Sequence, residues 1–377
     1  MSSELSFFKR LALSASVLVL AACASGPERP KPTPLAELAP SSVSVRVAWT
    51  AQLGAPTDGL RARVAGGQVA IASTKGNVQV REVVSGALVW ETALPKGISA
   101  GLGFDGKRVA LVDVDNHLTM LENGKVLWRH RLNARTFTAP FVAGGRVFVV
   151  TANREAQAFD ADNGAALWSR SYSGEPLVLQ APTLLGAFGP DLVVGFGENL
   201  AAIRPDTGEL FWNAALVRPR GANEIERLSD VVAGAHSANG LLCGRAFQAS
   251  VACVSIQTGS RVWSQDDDGS TGISGDEQKI FASDRSGTLK AWRLTDGQLL
   301  WQQDVLRFRD LSGSTALGRT FVVGDGQGFV HWIAKEDGKI LARMPTDGSA
   351  ISSPPQLFND TLIALTANGG VFAWQPQ

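Results

Sequence analysis

The sequence predicts an all-β protein: an eight-bladed β-propeller of four-stranded antiparallel blades, closed by pairing of N-terminal and C-terminal strands. Three observations carry this prediction. A glycine followed four residues later by tryptophan recurs along the chain, each repeat contains four short β-runs, and the two ends complement each other. The pairs are Gly86/Trp90, Gly124/Trp128, Gly164/Trp168, Gly208/Trp212, Gly259/Trp263 and Gly297/Trp301, with a seventh decayed to Gly338/Ala342. Successive glycines are 38, 40, 44, 51, 38 and 41 residues apart, the period of propeller blades.

Within a repeat, the stretch from Ala139 to Tyr172 illustrates the reading. Phe141-Val142-Ala143, Val147 to Val150, Ala156 to Asp160 and the run around Leu167-Trp168 are separated by Gly144-Gly145, the polar turn Asn153-Arg154-Glu155, and Asp162-Asn163-Gly164. Four runs joined by hairpin turns make one twisted antiparallel sheet. The recurrent glycine supplies the positive φ of the third turn. The tryptophan begins the outer strand, where its ring is expected to wedge into the seam with a neighbouring blade. Trp49, Trp90, Trp128, Trp168, Trp212, Trp263 and Trp301 are therefore expected to be the fasteners between blades, each burying roughly 150–250 Å².

The ends complete the count. Ala350 to Gln377 supplies β-runs at Thr361 to Leu365 and Val371 to Trp374 and then stops without an outer strand. Val43 to Leu53 alternates like a strand, and Trp49 with its followers resembles Trp90-Glu91-Thr92-Ala93-Leu94. The N-terminal strand thus completes the last blade and leaves no free sheet edge. Residues 43–377 are expected to be one domain, with the 45% hydrophobic content divided among the seams.

Residues 1–22 are of another kind. Lys9-Arg10 precede an apolar run from Leu11 to Ala22 that is too short to span a bilayer, so the segment reads as a secretory signal. Leu20-Ala21-Ala22-Cys23 matches the bacterial lipobox, which makes Cys23 the expected lipidated N-terminus, held at a membrane by its acyl chains. From Ala24 to Ser42 the chain carries Pro27, Pro30, Pro32, Pro34 and Pro40 without apolar periodicity. Residues 23–42 therefore read as a lipidated cysteine and a solvated tether, with a reach of at most roughly 65 Å at about 3.3–3.6 Å per residue.

Charge and chemistry narrow the function. The chain has 35 basic and 35 acidic residues, and losing Lys9, Arg10 and Glu4 with the signal leaves a balance of −1. A basic groove with interleaved aromatics is absent, so no nucleic-acid partner is implied. Cys243 and Cys253 flank Phe247-Gln248-Ala249 in one hairpin; opposite positions on antiparallel strands are close enough for a disulfide, and two free thiols in another register is the alternative. The four histidines, His117, His130, His236 and His331, have no metal-ligand spacing. Asp266-Asp267-Asp268-Gly269 lacks the calcium-loop pattern and reads as an acidic solvated loop. Gly324 to Gly328 lacks a phosphate-loop lysine and reads as a hairpin turn. No catalytic residue, metal site or cofactor is indicated.

The repeat, as in Ala158-Phe159-Asp160-Ala161-Asp162-Asn163-Gly164-Ala165-Ala166-Leu167-Trp168, resembles the tryptophan-docking repeat of quinoprotein propellers over essentially all of the chain after residue 43. With the lipobox, the tether and a lone ring, the chain is similar to the BamB family of outer-membrane assembly lipoproteins. The segment Asn223-Glu224-Ile225-Glu226-Arg227-Leu228-Ser229-Asp230 resembles that family's partner-binding loop, although Gln180 and Val232 depart from its charge pattern. The resemblance implies a non-enzymatic scaffold on the periplasmic face of the outer membrane. It would contact BamA through Leu177, Leu179, Gln180, Arg227 and Asp230, alongside the other assembly-complex subunits and unfolded outer-membrane protein clients. Burial of the leucines in a blade seam is the competing reading of those positions. The competing function is a quinone (PQQ)-dependent periplasmic oxidoreductase or a small-ligand binder using the central channel.

Overall fold

The second β-run of each repeat is apolar almost without interruption, and the architecture gives the reason: a blade in a ring is covered on both faces by its neighbours. A computed structural model describes residues 30–38, 43–57, 59–173, 178–217 and 229–377. Its described residues form eight four-stranded antiparallel sheets. Blades 1 to 7 are consecutive in sequence, spanning 63–93, 98–131, 141–171, 185–215, 236–266, 274–303 and 315–345. Blade 8 takes three strands from 356–376 and its outer strand from Val45–Gln52, which pairs with Gly370–Pro376 through Thr50↔Phe372. The closure expected from the chain ends is therefore present.

Blade 3 shows how burial follows position. In Arg146–Val150 and Glu155–Asp160 almost every residue is buried. In the outer strand Ala166–Ser171 only Trp168 is buried, while Leu167 is exposed. The core is divided accordingly into eight apolar clusters, one at each junction between adjacent blades.

The tryptophans fasten these junctions in a common way. Each indole reaches the next blade's turn between its third and fourth strands. Trp49, Trp128, Trp168, Trp212, Trp263 and Trp301 donate from Nε1 to the carbonyls of Val83, Ala161, Pro205, Ile256, Leu294 and Lys335 at 2.7–3.1 Å. The receiving glycine lies under the ring: a Cβ built on Gly86 would sit 2.5 Å from the Trp49 indole, and one on Gly164 2.7 Å from that of Trp128. Trp90 faces Gly124 more loosely, at 3.6 Å. Glycine thus serves both the positive φ of the turn and the approach of the neighbour's ring. The decayed seventh copy has a structural reason. Blade 8 has no hairpin between its third and fourth strands, because the fourth comes from the other end of the chain, so no turn exists to receive an indole from position 342. Trp332 and Trp374 fill that seam edge to face, with centroids 5.8 Å apart.

Three local expectations are resolved. Cys243 and Cys253 lie directly opposite each other with Cα atoms 4.0 Å apart and form a disulfide. Gly324 to Gly328 is a hairpin turn in which Asp325 Oδ1 accepts from the amides of Gln327 and Phe329. The reading of Asp266 to Gly269 as a solvated loop is corrected. Asp267 is buried, and its carboxylate pairs with the fully buried Arg245 at 2.6 Å and with Lys290 at 3.0 Å. A carboxylate facing two cations behaves as structure, not as a free acidic patch.

The tether is also less free than its proline content predicts. Thr33 N donates to the Arg307 carbonyl at 3.0 Å, and Arg309 Nη1 and Arg343 Nη1 donate to the carbonyls of Thr33 and Ala36 at 3.1 and 3.2 Å. Leu35 packs against the cluster between blades 6 and 7. Cys23, the signal segment and residues 39–42 lie outside the described residues.

Candidate functional site

In an antiparallel blade, the hairpin between strands two and three opens on the same face as the connection to the next blade. On that face the links from blade 3 to blade 4 and from blade 4 to blade 5 are unusually long, and they are stitched together. Asp230 Oδ2 accepts from the Leu179 amide at 2.5 Å, and Ala233 N donates to the Pro182 carbonyl at 3.0 Å. Thr183 Oγ1 donates to the Val231 carbonyl at 2.8 Å. Val231, 2% exposed, belongs to the seam between blades 4 and 5. Val231 N donates to the Gly197 carbonyl and Phe247 N to the Asp230 carbonyl, at 2.7 and 2.9 Å. The seam between blades 4 and 5 is thus filled by Val231, whereas Leu179 is half-buried beside the ring axis and Gln180 is exposed.

Leu179, Gln180 and Asp230 therefore meet on one surface. Leu177 and Arg227 lie outside the described residues. Asp230 is a positioning group: with one oxygen on the Leu179 amide it ties the two connections together. Burial raises its pKa, against the opposing pull of the Leu179 amide and of Arg154. Arg154 was read from the sequence only as part of a polar turn. It adopts φ +60 and lies buried with its guanidinium over Gly197, where a Cβ would stand 2.9 Å from Nη1. Nothing in its local sequence marks that role; the contact depends on a glycine some forty residues away.

Beside this surface a cavity of about 200 Å³ lies on the axis, lined by Phe137, Phe196, Phe247, Leu179, Asp230 and Arg61, among others. Asp230 is the one carboxylate in its wall among the described residues. Among the described residues no group of three or more histidine, cysteine, aspartate or glutamate side chains could hold a metal ion. The arrangement offers apolar contact and exposed polar groups on hydrogen-bonded connections, which is the equipment of a binding surface.

The family model described as outer membrane protein assembly factor BamB matches residues 44–122 and 74–303. The outer membrane protein assembly factor BamB of Burkholderia pseudomallei is 34% identical over 372 residues, covering 97% of each chain. That of Bordetella pertussis is 33% identical over 362 residues, covering 94% of each. Among solved structures, BamB from Moraxella catarrhalis superposes with a TM-score of 0.80 at 21% identity, over 88% of this chain and all of that one. The quinohemoprotein alcohol dehydrogenase of Comamonas testosteroni gives a TM-score of 0.68 at 13% identity, over 88% of this chain and 76% of that one. At those identities the structural likenesses establish the ring fold alone.

Proposed function

Because the chain belongs to the BamB family of outer membrane protein assembly factors, we propose that it is a non-enzymatic scaffold of the outer-membrane β-barrel assembly complex, anchored through lipidated Cys23 on the periplasmic face. It binds BamA through the surface that carries Leu179, Gln180 and Asp230, extended by Leu177 and Arg227 of the same connections. The observation that supports this reading most is the bond from the Leu179 amide to Asp230, which ties together the described parts of two long connections. The scaffold orients BamA's periplasmic domains and holds barrel precursors during assembly.

The test is co-purification from membranes. Alanine at Leu177 and Leu179 is expected to reduce recovery of BamA, with the melting temperature of the ring unchanged. Asp230→Asn keeps an acceptor for the Leu179 amide and separates loop geometry from charge. Full recovery of BamA with folded Leu177→Ala/Leu179→Ala protein rejects the surface. Mass spectrometry of the mature N-terminus checks the acyl chains on Cys23. Stoichiometric uptake of pyrroloquinoline quinone with calcium, accompanied by dye-linked turnover, would instead favour an oxidoreductase.

A further inference from the structure

Among the described residues, the ring axis carries positive charge without a matching negative one. The cavity of about 200 Å³ adjoins a second axial compartment of about 510 Å³, and Arg61, Phe137, Thr138, Pro182 and Thr183 border both. Arg61 therefore stands at their junction. Arg63, two residues on and in the innermost strand of blade 1, lines the second compartment. Its Nε donates to the Leu102 carbonyl at 2.9 Å.

Among the described residues, the Arg61 side chain makes no hydrogen bond or ion pair, and Arg63 makes no ion pair. Asp230, the one carboxylate among the described residues of the wall, is held by the Leu179 amide and feels the charge of Arg154, not that of Arg61. Burial, with a smaller contribution from the neighbouring Arg63 charge, pushes the Arg61 pKa down to about 10. It stays protonated at neutral pH. Arg61 and Arg63 are both half-buried, and a partly desolvated cation beside a second cation favours an accompanying anion.

We propose that this junction is a binding site for a carboxylate carried on an apolar body, with Arg61 as the anion-binding group. A guanidinium engages a carboxylate through two parallel N–H···O bonds. Phe137, Phe196, Phe247 and Leu179 supply the apolar wall above it, and the low-polarity surroundings strengthen the ion pair relative to water. At about 30 Å³ per water the upper cavity corresponds to roughly six or seven waters, the size of a single aromatic or branched aliphatic group. The site adjoins the proposed BamA surface but does not depend on that reading.

The experiment is calorimetric titration of the mature protein with 3-phenylpropionate, with the uncharged 3-phenylpropionamide, and with inorganic phosphate, alongside melting of the ligand-free protein. Saturable binding of the acid is expected, with the amide and phosphate each weaker by on the order of tenfold or more. Arg61→Met is expected to weaken the acid by a similar factor and to leave the ligand-free melting temperature unchanged or raised, since it removes an uncompensated charge. Equal binding of acid and amide, tighter binding of phosphate than of the acid, or no binding at millimolar concentrations overturns the proposal. The comparison of acid with amide uses the unaltered protein and stands even where the variant misfolds.

Discussion

Two glycines of blade 5 isolate what the tryptophan docking contributes. Gly259 has φ +71 and would place a Cβ 2.8 and 2.9 Å from Cε3 and Cδ2 of Trp212, the indole that docks on it from blade 4. Gly240, in another hairpin of the same blade, has φ +75 and nothing within 4 Å. Alanine at either site pays the left-handed penalty of about 1–2 kcal/mol. At Gly259 the clash adds about 1–3 kcal/mol, because the indole is packed in the seam and hydrogen-bonded to the Ile256 carbonyl at 2.9 Å. Gly259→Ala is thus expected to lose about 2–5 kcal/mol and Gly240→Ala about 1–2 kcal/mol. Urea unfolding followed by tryptophan fluorescence measures both, provided the transition slopes stay equal. In a Trp212→Leu background the excess at Gly259 is expected to vanish. Equal losses at the two glycines in the native background would refute the account of glycine as a docking platform and leave it a turn residue only.

Three further outcomes are expected. Asp267→Ala strands the fully buried Arg245 and is expected to cost about 3–5 kcal/mol in urea unfolding, whereas Asp268→Ala, at an exposed neighbour, stays within about 0.5 kcal/mol. Asp230 has its folded pKa raised by burial, so its contribution is favourable below the unfolded carboxylate pKa of about 3.9 and declines as pH rises through the folded value. Relative to Asp230→Asn, the unaltered protein should therefore lose stability as pH rises above about 4, and a flat difference contradicts the assignment. Reducing the Cys243–Cys253 bond, which closes a short loop within one blade, should cost roughly 2–3 kcal/mol, read as a shift in the urea midpoint with and without reductant.

The ring was legible because its determinants are local and repeated. A glycine in a turn and an indole four residues later occur in register, and the incomplete final repeat matched the strand at Val43 to Leu53. What remained hidden depends on residues distant in sequence. That the glycine receives a neighbour's ring is visible only once blades are adjacent, and the loss of the tryptophan at position 342 becomes intelligible only when blade 8 is seen to lack the receiving hairpin. Asp267 looked solvated beside two other aspartates because its partner, Arg245, lies in a different strand and is covered by the next blade. Prolines 32 and 34 accounted for an extended segment at Thr33 to Ala36, but not for the arginines of blades 6 and 7 that bind its carbonyls. At the candidate site the sequence identified Leu179 and Asp230 as members of one surface. It missed Val231 as the residue filling the seam and Arg154 as the cation beside Asp230.

The contacts at Thr33, Leu35 and Ala36 have a mechanical consequence. Tension drawn along the leader from its N-terminal side meets these bonds before it reaches Val45–Gln52, the strand whose departure would open the circle. The load is first shared among Arg307, Arg309, Arg343 and the apolar pocket around Leu35, so the segment acts as a strain relief. A pull on the leader is borne by the flank of blades 6 and 7, and the closing strand is spared.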